Sequence, residues 1–399
     1  MKKVLKVILA FVLSITIGFT GFTLGRNSQG QSESKVTGDE SAYIDNINYL
    51  KAIIDQNYLF DYKDEDLVNG SYKGMFEALG DPYTVYYNPE EFNKLMEDTS
   101  GEYAGIGVMI SASPEGLIKV IKVFDNSPAK EAGIQENDYI TKVKDKEYQA
   151  TDIDKAVSQI KGKEGTSVDI TLLRVDDNGD KKEREIKVNR ENIRVETVKS
   201  QMIDGEDDLG YIQISEFDEV TTEDFENALD DLTEKGAKGI VIDLRNNPGG
   251  LLDTCLDITD LFLDEGIIVS TKDKNGKEVK EESDAEMNNV GLTVLINENS
   301  ASASEIMSGA LKDRKRAKII GTTSFGKGIV QKLFPISTDG SGVKITVSEY
   351  FTPNGTKIHE KGVKPDIEVE SKISSADIGI DNLENDNQLQ KAIEVLKEE

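Results

Sequence analysis

Hydrophobic positions along the chain change period several times, and each change marks a change of element. Over residues 42–98 the period is helical, with Ile44, Ile47, Leu50, Ile53 and Ile54 on one face. A second apolar set, Leu67, Tyr72, Met75, Phe76 and Leu79, ends at Gly80-Asp81-Pro82, a helix stop followed by a turn. This helical region is expected either to pack on the rest of the chain or to serve as the arm of a homodimer. From Tyr103 short β runs take over, with strands predicted at 117–123, 138–140 and 167–174 and a helix at 152–160. Beyond 208, nearly continuous apolar strands at 209–214, 239–244, 292–296 and 317–321 alternate with helices at 222–234, 251–263 and 303–312. That alternation predicts an α/β domain, with one more strand at 344–350. The segment from Asp386 to Leu396 is a short amphipathic helix, a second element suited to a homodimer contact.

Ahead of these elements Lys2, Lys3 and Lys6 precede an apolar run from Val7 to Leu24. The run is long for a signal-peptide core and sits at the lower limit for spanning a bilayer. No small-x-small cleavage site follows it, since Thr23-Leu24-Gly25 passes directly into Arg26. Residues 1–26 are therefore expected to be a retained signal anchor. The N-terminus would be cytoplasmic and the rest of the chain extracytoplasmic; secretion after cleavage is the alternative. Residues 27–41, rich in Ser, Gln and Gly, form a flexible linker.

Composition narrows the chemistry. The chain has 399 residues, 37% hydrophobic and 31% charged, which suits two or three soluble domains. A net charge of −28 argues against a nucleic-acid partner, because phosphate binding needs clustered Lys and Arg. One Cys (Cys255) forbids an internal disulfide, and with one His (His359) it cannot build a His/Cys zinc site. Carboxylate-only sites for Mg²⁺ or Ca²⁺ stay open, but no calcium-loop spacing is present, and no metal and no cofactor is expected. Any catalytic mechanism must run with at most one histidine.

The run 103–190 carries an ordered set of landmarks: Gly105-Ile106-Gly107-Val108, then Ser127-Pro128-Ala129, Ala132-Gly133-Ile134 and Asp138-Tyr139-Ile140. It resembles a PDZ domain. In such domains a Gly-x-Gly loop leads into a strand, and its N–H groups hold the terminal carboxylate of a peptide that adds to the sheet edge. Here Gly105, Ile106, Gly107 and Val108 would form that loop.

Three segments are candidates for chemistry. Asn299-Ser300-Ala301-Ser302-Ala303-Ser304-Glu305 follows an apolar strand and opens a helix, so a serine there is either an exposed nucleophile or a helix cap. Phe325-Gly326-Lys327-Gly328 sets a lysine between two glycines behind an aromatic. A desolvated, neutral lysine can activate a serine; the alternative is a solvated surface lysine. Asp243-Leu244-Arg245-Asn246-Asn247-Pro248-Gly249-Gly250 ends a strand in a glycine pair that either approaches a reacting carbonyl or simply turns the chain.

Together these segments resemble the C-terminal processing peptidases, Ser/Lys proteases with an inserted PDZ domain. Further matches are Gly74-Met-Phe-Glu-Ala-Leu-Gly-Asp-Pro-Tyr83, Tyr350-Phe-Thr-Pro-Asn-Gly355 and Lys361-Gly-Val-Lys-Pro-Asp366. The resemblance implies a crotonase-like α/β superhelix protease domain over 191–370. A PDZ domain at 103–190, a helical region at 42–102 and a C-terminal tail with a short helix at 371–399 would complete the chain. It implies Ser302 as nucleophile, Lys327 as base and Gln331 as its orienting residue. Oxyanion donors would be the N–H of Ala303 and of either Gly249 or Gly250. Proteins or peptides with free C-termini would be the substrates, and the PDZ domain would cover or open the site. His359 is then expected at the surface and Cys255 in the core. A PDZ adaptor with a silent protease-like domain is the rival reading, and an acyl-CoA enzyme a third.

Overall fold

The computed structural model describes residues 40–176 and 178–398. The apolar run at 7–24, expected as a membrane anchor, and the linker up to residue 39 lie outside the described residues. Among the described residues no helix is long and apolar enough to cross a membrane. The chain divides into a short unit ending at Val68 and a large one from Asn69 to Glu399. In the short unit the helix Glu40–Asn57 follows the apolar period of its sequence, and Ile44, Ile47, Leu50 and Ile53 remain exposed.

The large unit is organised by a six-stranded sheet in the order Val198–Met202, Leu209–Ile214, Gly239–Asp243, Gly291–Ile296, Lys318–Gly321 and Ile367–Glu368. The first pair is antiparallel and the others are parallel. Successive side chains on a strand point to opposite faces. Ile240 and Ile242 accordingly share a core with Phe225, Ile258 and Met307 of helices Thr221–Glu234, Leu252–Asp260 and Ala303–Asp313. Val241, Leu295 and Ile320 join Leu389, Ile393 and Leu396 of helix Asn387–Glu398 instead. Both faces of the central strands are covered, and this is why Gly239–Asp243 and Gly291–Ile296 read as nearly unbroken apolar runs, with Asp243 and Thr293 the buried polar exceptions.

The C-terminal helix is thus core rather than a loose tail, and a buried ion cluster joins it to the sheet. Arg245 is fully buried and holds Asp243 at 2.6 Å and Asp386 at 2.8 Å. Its Nη1 also donates to Gln388 Oε1 at 3.0 Å.

Residues between Gly101 and Val195 form an insertion. The ribbon of Glu102–Gly105 with Glu191–Arg194 carries an antiparallel sheet built from Val108–Ala112, Ile118–Val123, Tyr139–Val143, Ser167–Val175 and Lys181–Asn189. Ile118, Val120, Ile140, Ile170 and Leu172 fill its core with Ala156 and Ile160 of helix Ile153–Ile160.

A third sheet pairs Gly342–Phe351 with Val85–Tyr87, Gly266–Asp273 and Ile329–Pro335, and Glu278–Ser283 pairs with Gly266–Asp273. The helix Pro89–Ser100 follows Val85–Tyr87. Asn88 and Glu91 cap its start reciprocally, with Pro89 in the first turn.

Candidate active site

Strand Gly291–Ile296 ends in a tight turn whose serines divide their work. Ser300 is buried and its hydroxyl donates to the Leu244 carbonyl at 2.8 Å. The buried Ser304 hydroxyl donates to the Asn247 carbonyl at 3.1 Å. Ser302 stands between them as the N-cap of helix Ala303–Asp313, half-buried, with φ 54° and ψ −113°. A non-glycine residue with that backbone is strained, and strain of this kind collects where a side chain must be presented at a fixed angle.

The glycine pair fits against this turn. A Cβ on Gly249 would lie 2.8 Å from Ser302 Cβ and 2.9 Å from the Ala301 carbonyl, so only glycine fits there. The Gly249 N–H donates to Asn247 Oδ1 at 2.8 Å. Among the described residues the N–H groups of Gly250 and Ala303 have no partner. Phe217 holds the pair from the other side, its N–H donating to the Gly249 carbonyl at 2.9 Å.

Lys327 is half-buried, and its ammonium is destabilised by burial and by the neighbouring Lys344, against the pull of Glu305. Its pKa is therefore lowered from that of an ordinary lysine. Phe325, the aromatic that precedes it in sequence, is 58% exposed; Tyr83 and Tyr350 flank Lys327 instead. Lys327 Nζ lies 5.0 Å from the centre of the Tyr83 ring, and the turn carrying Tyr83 is pinned by Asp81, which accepts from the Tyr83 N–H and the Thr84 hydroxyl. The Tyr350 hydroxyl bonds the Lys327 carbonyl and lies against Ser302. Among the described residues no hydrogen bond joins Lys327 Nζ to Ser302 Oγ or to Gln331. The Gln331 amide donates to the Ile329 carbonyl at 3.3 Å and reaches the Thr346 hydroxyl at 3.5 Å.

Glu305 takes part as well, although it is not among the catalytic residues expected from the sequence. It is fully buried, and Oε2 accepts from the N–H groups of Ser302 (2.9 Å) and Lys327 (2.8 Å). Oε1 accepts from the Ser324 hydroxyl (2.6 Å) and the Gly326 N–H (2.7 Å). One carboxylate thus joins the serine turn to the lysine loop, although burial still raises its pKa. The spacing Ser302-x-x-Glu305 announced the first of these bonds as a capping box. Nothing local announced the bonds to residues 324–327.

His359 also differs from expectation. It is half-buried rather than at the surface, and its Nδ1 is buried without a partner. Its backbone lies so close that a Cβ on Gly328 would be 2.2 Å from the His359 nitrogen. Cys255 is a core residue as expected, its thiol donating to the Ala303 carbonyl at 3.1 Å, and burial pushes it up to about 12.

Ser302, Ala303, Gly249, Gly250, Lys327 and Gln331 all line one cavity of about 510 Å³. One wall is acidic. Asp98 from helix Pro89–Ser100 lines it with Glu216 and Asp218 from the loop after strand Leu209–Ile214. Leu95 and Asp98 also line a neighbouring cavity of about 730 Å³.

In the inserted domain Ile106, Gly107 and Val108 line a separate small cavity of about 70 Å³ with Val157 and Ile160 of helix Ile153–Ile160. Gly105 ends the strand leading into this loop and is outside the lining. Lys161, beside that cavity, pairs with Glu97 of helix Pro89–Ser100 at 2.6 Å.

Known proteins match along almost the whole chain. Residues 208–369 match Peptidase family S41, residues 104–189 a PDZ domain, and residues 17–91 the Activating protease CtpB N-terminal domain. The Carboxy-terminal processing protease CtpA of Bacillus subtilis is 36% identical over 374 residues, covering 93% of this chain and 78% of its own length. A Carboxy-terminal-processing protease of Bartonella bacilliformis is 38% identical over 326 residues, covering 80% of this chain and 73% of its own. The solved structure of a candidate S41 protease from Bacteroides fragilis has a TM-score of 0.51 at 16% identity, covering 82% of this chain and 90% of that one. That last likeness speaks to fold alone. With relatives 36% and 38% identical over most of both chains, this chain belongs to peptidase family S41, among the PDZ-containing carboxy-terminal processing serine proteases.

Proposed function

We propose that this chain is an endopeptidase that cleaves proteins near their C-termini, with Ser302 as nucleophile and Lys327 as general base. The observation that carries this reading is the shared cavity. It joins a strained serine at a helix N-terminus, two unpartnered N–H groups and a half-buried lysine with a destabilised ammonium. Neutral Lys327 takes the Ser302 proton, Oγ attacks the scissile carbonyl, and the resulting ammonium returns the proton to the leaving amine. The N–H groups of Ala303 and Gly250 hold the oxyanion; Gly249 is excluded because Asn247 occupies its N–H. Engagement requires Lys327 to rotate off the Tyr83 ring and Gln331 to turn from Thr346 toward it.

The PDZ loop Gly105-Ile106-Gly107-Val108 receives the substrate's C-terminal carboxylate, with an apolar terminal side chain in the cavity lined by Ile106 and Val157. The run 7–24 anchors the enzyme to the membrane with the catalytic part outside, and the exposed face of helix Glu40–Asn57 serves a homodimer, whereas the C-terminal helix, expected as a second contact, buries its apolar face in the core.

A fluorophosphonate probe tests the chemistry. It should label the wild type at Ser302, and Ser302→Ala should lose both label and peptide-bond cleavage. Absence of labelling with C-terminal peptides still bound would leave a PDZ adaptor.

A further inference from the structure

Asp218 is only 5% exposed, yet among the described residues no donor reaches its carboxylate and no cation pairs with it. Its carboxylate lines the cavity and keeps only slight contact with water, so ionising it without donors is costly and a cation brought to it would be favoured. Its surroundings add to the cost. Glu216 on its own loop and Asp98 on helix Pro89–Ser100 both push its proton affinity up, and with burial, the largest cause, they raise its pKa to about 7. Arg194 reaches this loop only at the Val220 carbonyl and is already paired with Glu223 and Asp224. Thr221 and Thr254 bond the Asp218 backbone and leave its side chain alone.

The position is informative as well. Glu216 and Asp218 flank Phe217, the residue whose N–H and carbonyl grip Gly249 and Leu251, so the acidic wall stands beside the oxyanion turn. Among the described residues no three acidic, His or Cys side chains converge to hold a metal ion. The three carboxylates are a wall for an extended cation, not a cage for a spherical one.

We propose that Asp218, with Glu216 and Asp98, forms a subsite that takes a basic side chain of the substrate close to the scissile bond. This rests on the cavity being the cleaving site. The substrates are thereby narrowed to chains that carry lysine or arginine near the cleavage point. A bound ammonium would supply the missing charge and donors at once.

The test uses the full chain and N-acetylated peptides that differ at one position, lysine against its uncharged isostere norleucine, scanned on both sides of the scissile bond. Acetylation removes the free amino terminus as a rival cation. At one position wild-type kcat/KM should favour lysine by about 10-fold or more. That ratio should rise between pH 6 and pH 8, because a carboxylic acid with a raised pKa is ionised only above it. Taking the ratio cancels any titration both peptides share. Asp218→Asn should bring the ratio close to one, and Glu216→Gln, at an exposed position, should lower it in part. Equal rates for lysine and norleucine at every position, or a preference that survives Asp218→Asn, would overturn the subsite. Failure to cleave any peptide, in a wild type that also resists the fluorophosphonate, would overturn the proposed function instead.

Discussion

At Lys327 three influences act on a single proton. Burial and Lys344 expel it, and the carboxylate of Glu305 retains it, with the net effect a lowered pKa. The neutral form is the base, so activity is present above this pKa and lost as pH falls through it. kcat/KM is therefore expected to rise with pH along a limb assigned to Lys327, and Lys327→Arg should be inactive at every pH because guanidinium does not deprotonate. Full activity in Lys327→Arg, or a large loss in His359→Ala, would point to a histidine mechanism. Glu305 supplies a second prediction. Glu305→Gln keeps one acceptor oxygen and turns an amide donor toward two existing donors, which should lower kcat/KM by roughly 10- to 100-fold. Because the lost charge had raised the Lys327 pKa, the acid limb should also move to lower pH. A purely structural glutamate would lower activity without moving the limb.

Among the elements, legibility followed how many faces were covered. Strands Gly239–Asp243 and Gly291–Ile296 are buried on both sides and could be read as apolar runs. The strand Glu278–Ser283 is mostly exposed and charged, and no hydrophobic period betrayed it. The turn carrying Ser302 was visible as a strand followed by a helix start. Tyr350 and Asp218 reach the cavity, and Tyr83 reaches Lys327, through tertiary packing, and no local pattern says so. Gly249 tests the fit between two of these turns. Gly249→Ala would force a methyl group against Ser302 at a backbone φ of 111°. The expected outcome is a folded protein with kcat/KM reduced about 100-fold, checked by peptide cleavage alongside circular dichroism. The PDZ loop is tested separately. Amidating the C-terminus of a bound peptide removes the charge its N–H groups hold and should weaken Kd by about 10-fold or more in titration calorimetry. Equal affinity for acid and amide would dismiss carboxylate recognition.

For the whole molecule, the fully buried cluster of Arg245, Asp243 and Asp386 links residues 141 positions apart. Arg245→Ala strands two buried carboxylates and is expected to cost about 3–5 kcal/mol, measured by urea unfolding. A loss below about 1 kcal/mol would mean the carboxylates had found other partners. The cluster also imposes an order in time. Arg245 lies in the same turn as the glycine pair beside Ser302, and its partners Asp386 and Gln388 are made after Ser302 and Lys327. A nascent chain that has already released Ser302 and Lys327 has Asp243 beside Arg245 but still lacks Asp386 and Gln388, the partners that complete the seat of this turn. The protease is thus expected to stay silent while those residues are still to be added, and to switch on only when helix Asn387–Glu398 docks.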